Sequence, residues 1–298
     1  MTKKKRKNSV QAMIFIWGSL AIPILHFLVF WLYVNFDSLL LAFRTVEDGR
    51  QVFSLQNFRD VFTRMSTASG DLRIAVKNTF IFFGFGIILT FVNLMFSFFL
   101  YKKILFKSFF RFMFYVPTII SAVVVSGLFK YMVNPMGPIG VLYTNLTGNP
   151  APAFLLQKEY ALKTVMVYSV FVGFAGNILL LGGAMSRIPQ SVVESAYLDG
   201  IGWMREFLQI CIPLIWSTLS TLIILMMSNI FNASGEILLL TGGRGETTTI
   251  SYWMFAQIKY YNSYNLPSAF GWLLTLIAVP ISLITRKVVN NIYKDVEV

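Results

Sequence analysis

Six runs of apolar residues, separated by shorter polar stretches, organise this chain. They cover roughly 13–36, 78–100, 112–129, 164–186, 214–235 and 266–285, and none holds an Asp, Glu, Lys or Arg. An α-helix needs ~20 apolar residues to cross the hydrocarbon layer of a bilayer. The pattern therefore predicts an all-α integral membrane protein with about six transmembrane helices. Pro23 and Pro117 interrupt the first and third runs, which a membrane helix tolerates where its neighbours satisfy the freed carbonyl. On this reading 1–12 is a basic tail, 13–70 the first helix and an outer loop, 71–290 the main transmembrane domain and 291–298 a C-terminal tail.

Lysines and arginines set the expected orientation. Lys3, Lys4, Lys5, Arg6 and Lys7 precede the first run, Lys102, Lys103, Lys107 and Arg111 crowd the loop between runs two and three, and Arg286 and Lys287 follow the last. With six spans all three clusters fall on one side, which is then cytoplasmic, and both termini lie inside. The basic start also resembles a secretory signal, but the run is long and no small-x-small site follows it, so it reads as a retained helix. Residues 37–77 are polar and mixed in charge. The segment from Asn134 to Gly140 and the one from Thr147 to Pro150 are turn signals.

The inner loop between runs four and five is unlike the others. Pro189 suits a first helical position, whereas Ser191 and Glu194 have capping-box spacing that would start the helix later. Either start gives a helix running to Asp199, with Val193, Ala196 and Tyr197 on one face. Gly200 is the natural stop, because glycine enters the left-handed region at little cost. A second helix, 203–212, leads to Pro213 and the next run. The outcome is a short helix of ~11 residues, ~16 Å long, held across the inner membrane surface. Taken alone, it could also be an ordinary amphipathic connector.

This segment resembles the "EAA" loop of permease subunits in binding-protein-dependent ABC importers. Glu194, Ala196, Asp199, Gly200, Phe207, Ile210 and Pro213 stand at the positions of that pattern, while Ser195, Ile201 and Ile212 depart from it conservatively. Phe110-Arg111 with Tyr115 and Pro117, the turn at 134–137, and the stretches 235–243 and 247–249 resemble the carbohydrate-uptake branch. They are similar to the maltose and glycerol-phosphate type and to the first of its two unlike permeases. The resemblance implies a bacterial inner-membrane subunit that hydrolyses nothing itself and needs no cofactor. Its implied partners are a second homologous permease subunit, cytoplasmic ATP-binding subunits that receive the loop in a groove, and an extracytoplasmic solute-binding protein that delivers a sugar or oligosaccharide. Glu194 would then either cap its helix or touch the ATPase.

Composition narrows the chemistry further. The chain is 56% hydrophobic and 13% charged, against about a quarter charged in soluble domains. Its net charge of +12 gathers between apolar runs rather than on one face, which speaks for a membrane and against nucleic acid. One cysteine, Cys211, excludes an intrachain disulfide framework. One histidine, His26, has no acidic neighbour in its run and reads as a packed or interfacial side chain rather than a proton relay.

No charge stands at mid-span, where coupling residues of proton- or ion-driven carriers are found. A self-sufficient secondary transporter or channel subunit is the alternative reading, and it lacks that signal. The polar groups within the runs are neutral, among them Asn93, Asn177, Ser228, Asn229 and Asn232. Asn229 and Asn232 are three apart and so would share a helix face. With Phe231 beside them they suit a sugar's hydroxyls and ring face, and Asn177 is a further candidate for the path. Asparagine also joins helices in lipid by hydrogen bonds, and that is the expectation for Asn93. Gly173, Gly176, Gly182 and Gly183 are expected to let helices approach closely. The Gly-rich run 241–248 lacks a P-loop lysine and follows no strand, so it reads as an outer loop; the resemblance implies that it lies near the contact with the binding protein, with Arg244 and Glu246 as rim contacts at most.

Overall fold

A computed structural model describes residues 2–47, 50–67, 70–102, 105–232 and 235–293. Lys103 and the last part of the C-terminal tail, both counted above, lie outside the described residues. The chain divides into two compact units, Met1–Thr63 with Gln257–Leu273, and Arg64–Ala256 with Leu274–Val298.

In the first unit, helix α1 (Thr2–His26) passes through a wider π-helical stretch, Phe27–Tyr33, into α2 (Val34–Phe43). Pro23 lies inside α1, four residues before the widening begins. The His26 ring at the end of α1 lies 4.9 Å from that of Phe30, tilted by 36°. A hairpin follows, β1 (Arg44–Glu47) antiparallel to β2 (Arg50–Phe53), with Arg44 opposite Phe53. Helix α3 (Gln56–Ser66) is tied back by Asn57, whose amide donates to the carbonyls of Ala42 at 2.9 Å and Arg44 at 2.8 Å.

The second unit is built on α4 (Asp71–Tyr101) and α8 (Lys158–Met185). At 1.5 Å per residue α4 is about 46 Å long. Buried Asn93 donates to the Gly173 carbonyl at 3.4 Å, and Ser97 Oγ reaches Ile178 O at 3.3 Å. A Cβ on Gly173 would stand 3.2 Å from Leu89, so this glycine does let the two helices close up. Gly176, Gly182 and Gly183 face open space instead, contrary to the expectation that all four pack tightly.

The third apolar run is not one helix. It is split into α5 (Lys107–Ile119) and α6 (Ala122–Val133) by extended backbone at Ile120 and Ser121. Pro117 cannot donate to the carbonyl of Met113, and β-branched Ile119 and Ile120 then hold the helix weakly. Helix α7 (Pro138–Thr147) follows the expected turn at 134–137, with Pro138 in its first turn. Four helices are long and apolar enough to cross a membrane: Val10–Phe43, Asp71–Tyr101, Lys158–Met185 and Asn265–Ile292. A pair bent by 78°, Trp203–Leu214 and Trp216–Ser228, makes a fifth if the two helices are counted as one broken span. The architecture is α-helical and membrane-spanning apart from the one two-stranded hairpin, with four to five such spans among the described residues.

The Gly-rich run is a closed loop. Asn78 at the start of α4 donates to the carbonyls of Glu246 at 2.7 Å and Thr248 at 2.9 Å. Lys158 pairs with Glu246 at 2.7 Å, and Thr241 and Thr247 hydroxyls meet at 2.6 Å. Glu246 is thus engaged within the chain, while Arg244 is exposed.

Candidate functional site

Helix α9 (Gln190–Leu198) occupies the distinctive loop, with Pro189 just ahead of it. The capping box is not formed: the helix start has no side-chain cap bond, and Ser191 lies one residue inside the helix. Glu194 instead accepts a 2.8 Å hydrogen bond from the Gln190 amide. Gly200 has φ +70. The Ile201 N–H donates to Ala196 O at 3.1 Å and the Gly200 N–H to Tyr197 O at 3.1 Å. These two bonds make a Schellman stop, in which the left-handed residue lets the last carbonyls find donors.

One side of α9 is fixed. Ala196 is buried, and Val193 packs against a core of Leu94, Phe98, Leu181, Met185, Ile188, Phe207, Cys211, Ile215 and Leu219. Tyr197, expected on the same face, is 82% exposed, and Leu198 is 85% exposed. At 100° per residue Tyr197 lies at the edge of the buried stripe, and it turns outward. The two apolar side chains stand free beside a groove of about 790 Å³ lined by Tyr101, Lys102, Ser186, Gln190, Glu194 and others.

Beyond Gly202 the helix α10 (Trp203–Leu214) runs back to the membrane domain. Its middle, Glu206–Cys211, is π-helical, and such a wide turn often marks a functional position. Phe207 is buried at 5.1 Å from the Phe98 ring, and Trp203 meets Phe99 at 5.7 Å. Ile210 is half-buried. After Pro213 the chain bends at Ile215 into α11 (Trp216–Ser228), as a proline that breaks the hydrogen-bond ladder permits. The Trp216 indole donates to Val289 O at 3.1 Å, holding the bend against the last helix.

Sequence reasoning missed one pair. Lys102 caps α4 and forms a salt bridge with Glu206, which is 5% exposed. In the sequence Lys102 is only a marker of orientation. The residues are 104 apart in the chain, so no local pattern joins them.

The candidate path residues are arranged differently from the expectation. Helix α11 ends at Ser228, so Asn229 and Asn232 do not share a helix face. The Asn229 amide donates to Leu225 O at 2.8 Å, competing with the backbone for the last turn. The two are still brought together, because Asn232 donates to Asn229 Oδ1 at 2.9 Å in the turn that follows, and both are exposed. Phe231 lies between them with its ring edge-on to Phe80 at 6.3 Å. Asn177 is half-buried in α8 and shares no hydrogen bond with the pair among the described residues. No group of His, Cys, Asp and Glu among the described residues could hold a metal ion.

Residues 82–298 match the family described as binding-protein-dependent transport system inner membrane component. A probable ABC transporter permease protein of Mycoplasma genitalium is 28% identical over 244 residues, which is 79% of this chain and 72% of that one. The maltose/maltodextrin transport system permease protein MalF of Vibrio parahaemolyticus is 30% identical over 128 residues, 43% of this chain and 24% of its own. The fold is similar to that of a bacterial alginate ABC transporter solved in complex with an alginate pentasaccharide-bound periplasmic protein. That likeness has a TM-score of 0.81 and 20% identity, and it covers 96% of this chain and 98% of the other.

Proposed function

Because this chain belongs to the family of binding-protein-dependent transport system inner membrane components, and so is a permease subunit of an ABC importer, we propose that its cargo is a sugar or oligosaccharide. The names of relatives support this cargo, one a maltose/maltodextrin permease and another an alginate transporter. The neutral amides at Asn229 and Asn232, with Asn177 as a further contact, suit hydroxyl-rich cargo that must leave as readily as it arrives. An extracytoplasmic binding protein delivers the sugar, a second permease subunit completes the path, and separate cytoplasmic ATPase subunits drive it. Residues 71–290 form the transport domain, with 1–12 and 291–298 as cytoplasmic tails and 13–70 as first helix and outer loop. Six crossings with both termini inside put the loop on the ATPase side.

One observation carries the coupling role. Helix α9 is anchored through Ala196 and stopped at Gly200, yet it leaves Tyr197 and Leu198 standing out of the surface. An apolar pair on a rigid helix end is what a partner's pocket takes up, and such pockets supply most of the energy at interfaces. Glu194 lines the adjoining groove, where it meets the ATPase rather than capping its own helix. Phe207, Ile210 and Pro213 carry the loop back into the spans, and Asp199 leads into the Gly200 turn.

The test uses proteoliposomes holding the complete complex and its binding protein, offered a panel of radiolabelled maltose, maltodextrin and alginate oligosaccharides. Uptake of one of them is expected only with ATP and the ATPase subunits present. Tyr197→Asp is expected to insert normally and to abolish stimulated ATP hydrolysis. Accumulation without the ATPase would overturn the assignment in favour of a self-sufficient carrier.

A further inference from the structure

We infer that Lys102 and Glu206 are positioning residues that form a strut, passing movement of the loop to α4. The inference rests on the coupling role proposed above for that loop. Glu206 sits in the wide turn of α10, and Lys102 is the residue that ends α4. One carboxylate oxygen of Glu206 meets the lysine ammonium, and the other, Oε1, is buried with no hydrogen-bond partner among the described residues. The same ammonium lies 5.8 Å from the centre of the Phe98 ring, against which Phe207 packs. Charge and apolar contact thus join the same two elements at one point.

Stability alone does not explain the pair. Taking two charges out of water costs about as much as their attraction returns, and an orphaned carboxylate oxygen adds to the cost. The apolar bed of Phe98, Phe207 and Cys211 already holds the loop. What a charge pair adds is a fixed register between two elements, together with sensitivity to water. Lys102 is about one-third exposed and lines the groove beside α9. A partner seated in that groove excludes water from the ammonium, lowers the local dielectric and strengthens its hold on Glu206. Docking therefore tightens the strut, so that the loop and α4 move as one body while the ATPase is engaged.

The experiment follows uptake and ATP hydrolysis together in proteoliposomes, with the sugar that the wild-type complex accumulates as probe. Glu206→Gln keeps size and an acceptor oxygen but removes the charge. It is expected to leave the amount of assembled complex near wild type and to lower sugar moved per ATP about fivefold or more. Lys102→Met alone strands a buried carboxylate and lowers assembly. The double variant Lys102→Met, Glu206→Gln leaves no charge alone, so it assembles and is uncoupled to the same extent as Glu206→Gln. If Glu206→Gln and the double variant reduce only the amount of complex, with sugar per ATP unchanged, the pair is structural and the strut is wrong. Gly200→Val separates the two readings: if it uncouples while Glu206→Gln does not, the strut alone fails. If Gly200→Val also leaves coupling intact, the loop reading fails with it.

Discussion

Asn93 and Asn232 carry the same amide in opposite circumstances. Asn93 is fully buried between two long helices, with its Nδ2 on Gly173 O and its Oδ1 without a partner among the described residues. Asn232 is exposed in a turn and hydrogen-bonds to Asn229 alone among the described residues. A sugar hydroxyl that replaced this contact would gain a hydrogen bond worth ~1 kcal/mol net, enough for about a fivefold change in rate. Asn232→Ala is therefore expected to lower transport several-fold or to shift sugar preference, with assembly intact. Asn93→Ala should change the amount of complex and leave preference alone. Competition assays with the two variants check this, and a purely quantitative loss in Asn232→Ala would make the pair packing residues. The sequence shows which amides lie in apolar runs, but not that the helix stops at Ser228. The stop coincides with the Asn229 side chain turning onto the carbonyl of Leu225, a choice that apolar periodicity does not register.

At the scale of elements, α9 was legible because its signals are local. A glycine that stops a helix, and a proline that starts the bend into the next, act within a few residues. Nothing stands within 4 Å of a Cβ built on Gly200, so a substitution there costs backbone strain and not a clash. Gly200→Val should cost about 1–2 kcal/mol in the turn, insert normally and abolish uptake. Gly200→Asn, which tolerates the left-handed region, should keep most of it. Equal loss in both would point to the glycine surface itself and not its conformation, as read by transport assays on membranes with matched protein content. The break at Ile120 and Ser121 was less legible. Pro117 marks a weak point, yet many membrane helices run through a proline, and only the packing around it decides. The tie between α4 and α10 could not be read at all, because a salt bridge between distant residues leaves no periodic trace.

For the whole molecule, orientation is the property with most to test. Cys211 is the one thiol in the sequence, and it is fully buried. A membrane-impermeant maleimide should leave the native chain unlabelled from either side. Tyr197→Cys offers a thiol that is exposed in the chain without its ATPase subunits, and in membranes lacking them it should react in inverted vesicles but not in intact cells. Labelling from outside would reverse the assigned sidedness. The apolar periodicity made the membrane character plain from the outset, whereas the division into units depends on contacts between distant parts of the chain. The helix over Val10–Phe43 adds a property of another kind. None of its most apolar stretch is buried inside the chain. Such a helix owes its place in the bilayer to lipid, with Leu, Ile, Phe and Val near its centre each contributing roughly 0.3–0.6 kcal/mol. It has no need to wait for the rest of the molecule. Biogenesis can proceed in two steps separated in time, the first helix partitioning as it is synthesised and the later helices finding one another afterwards.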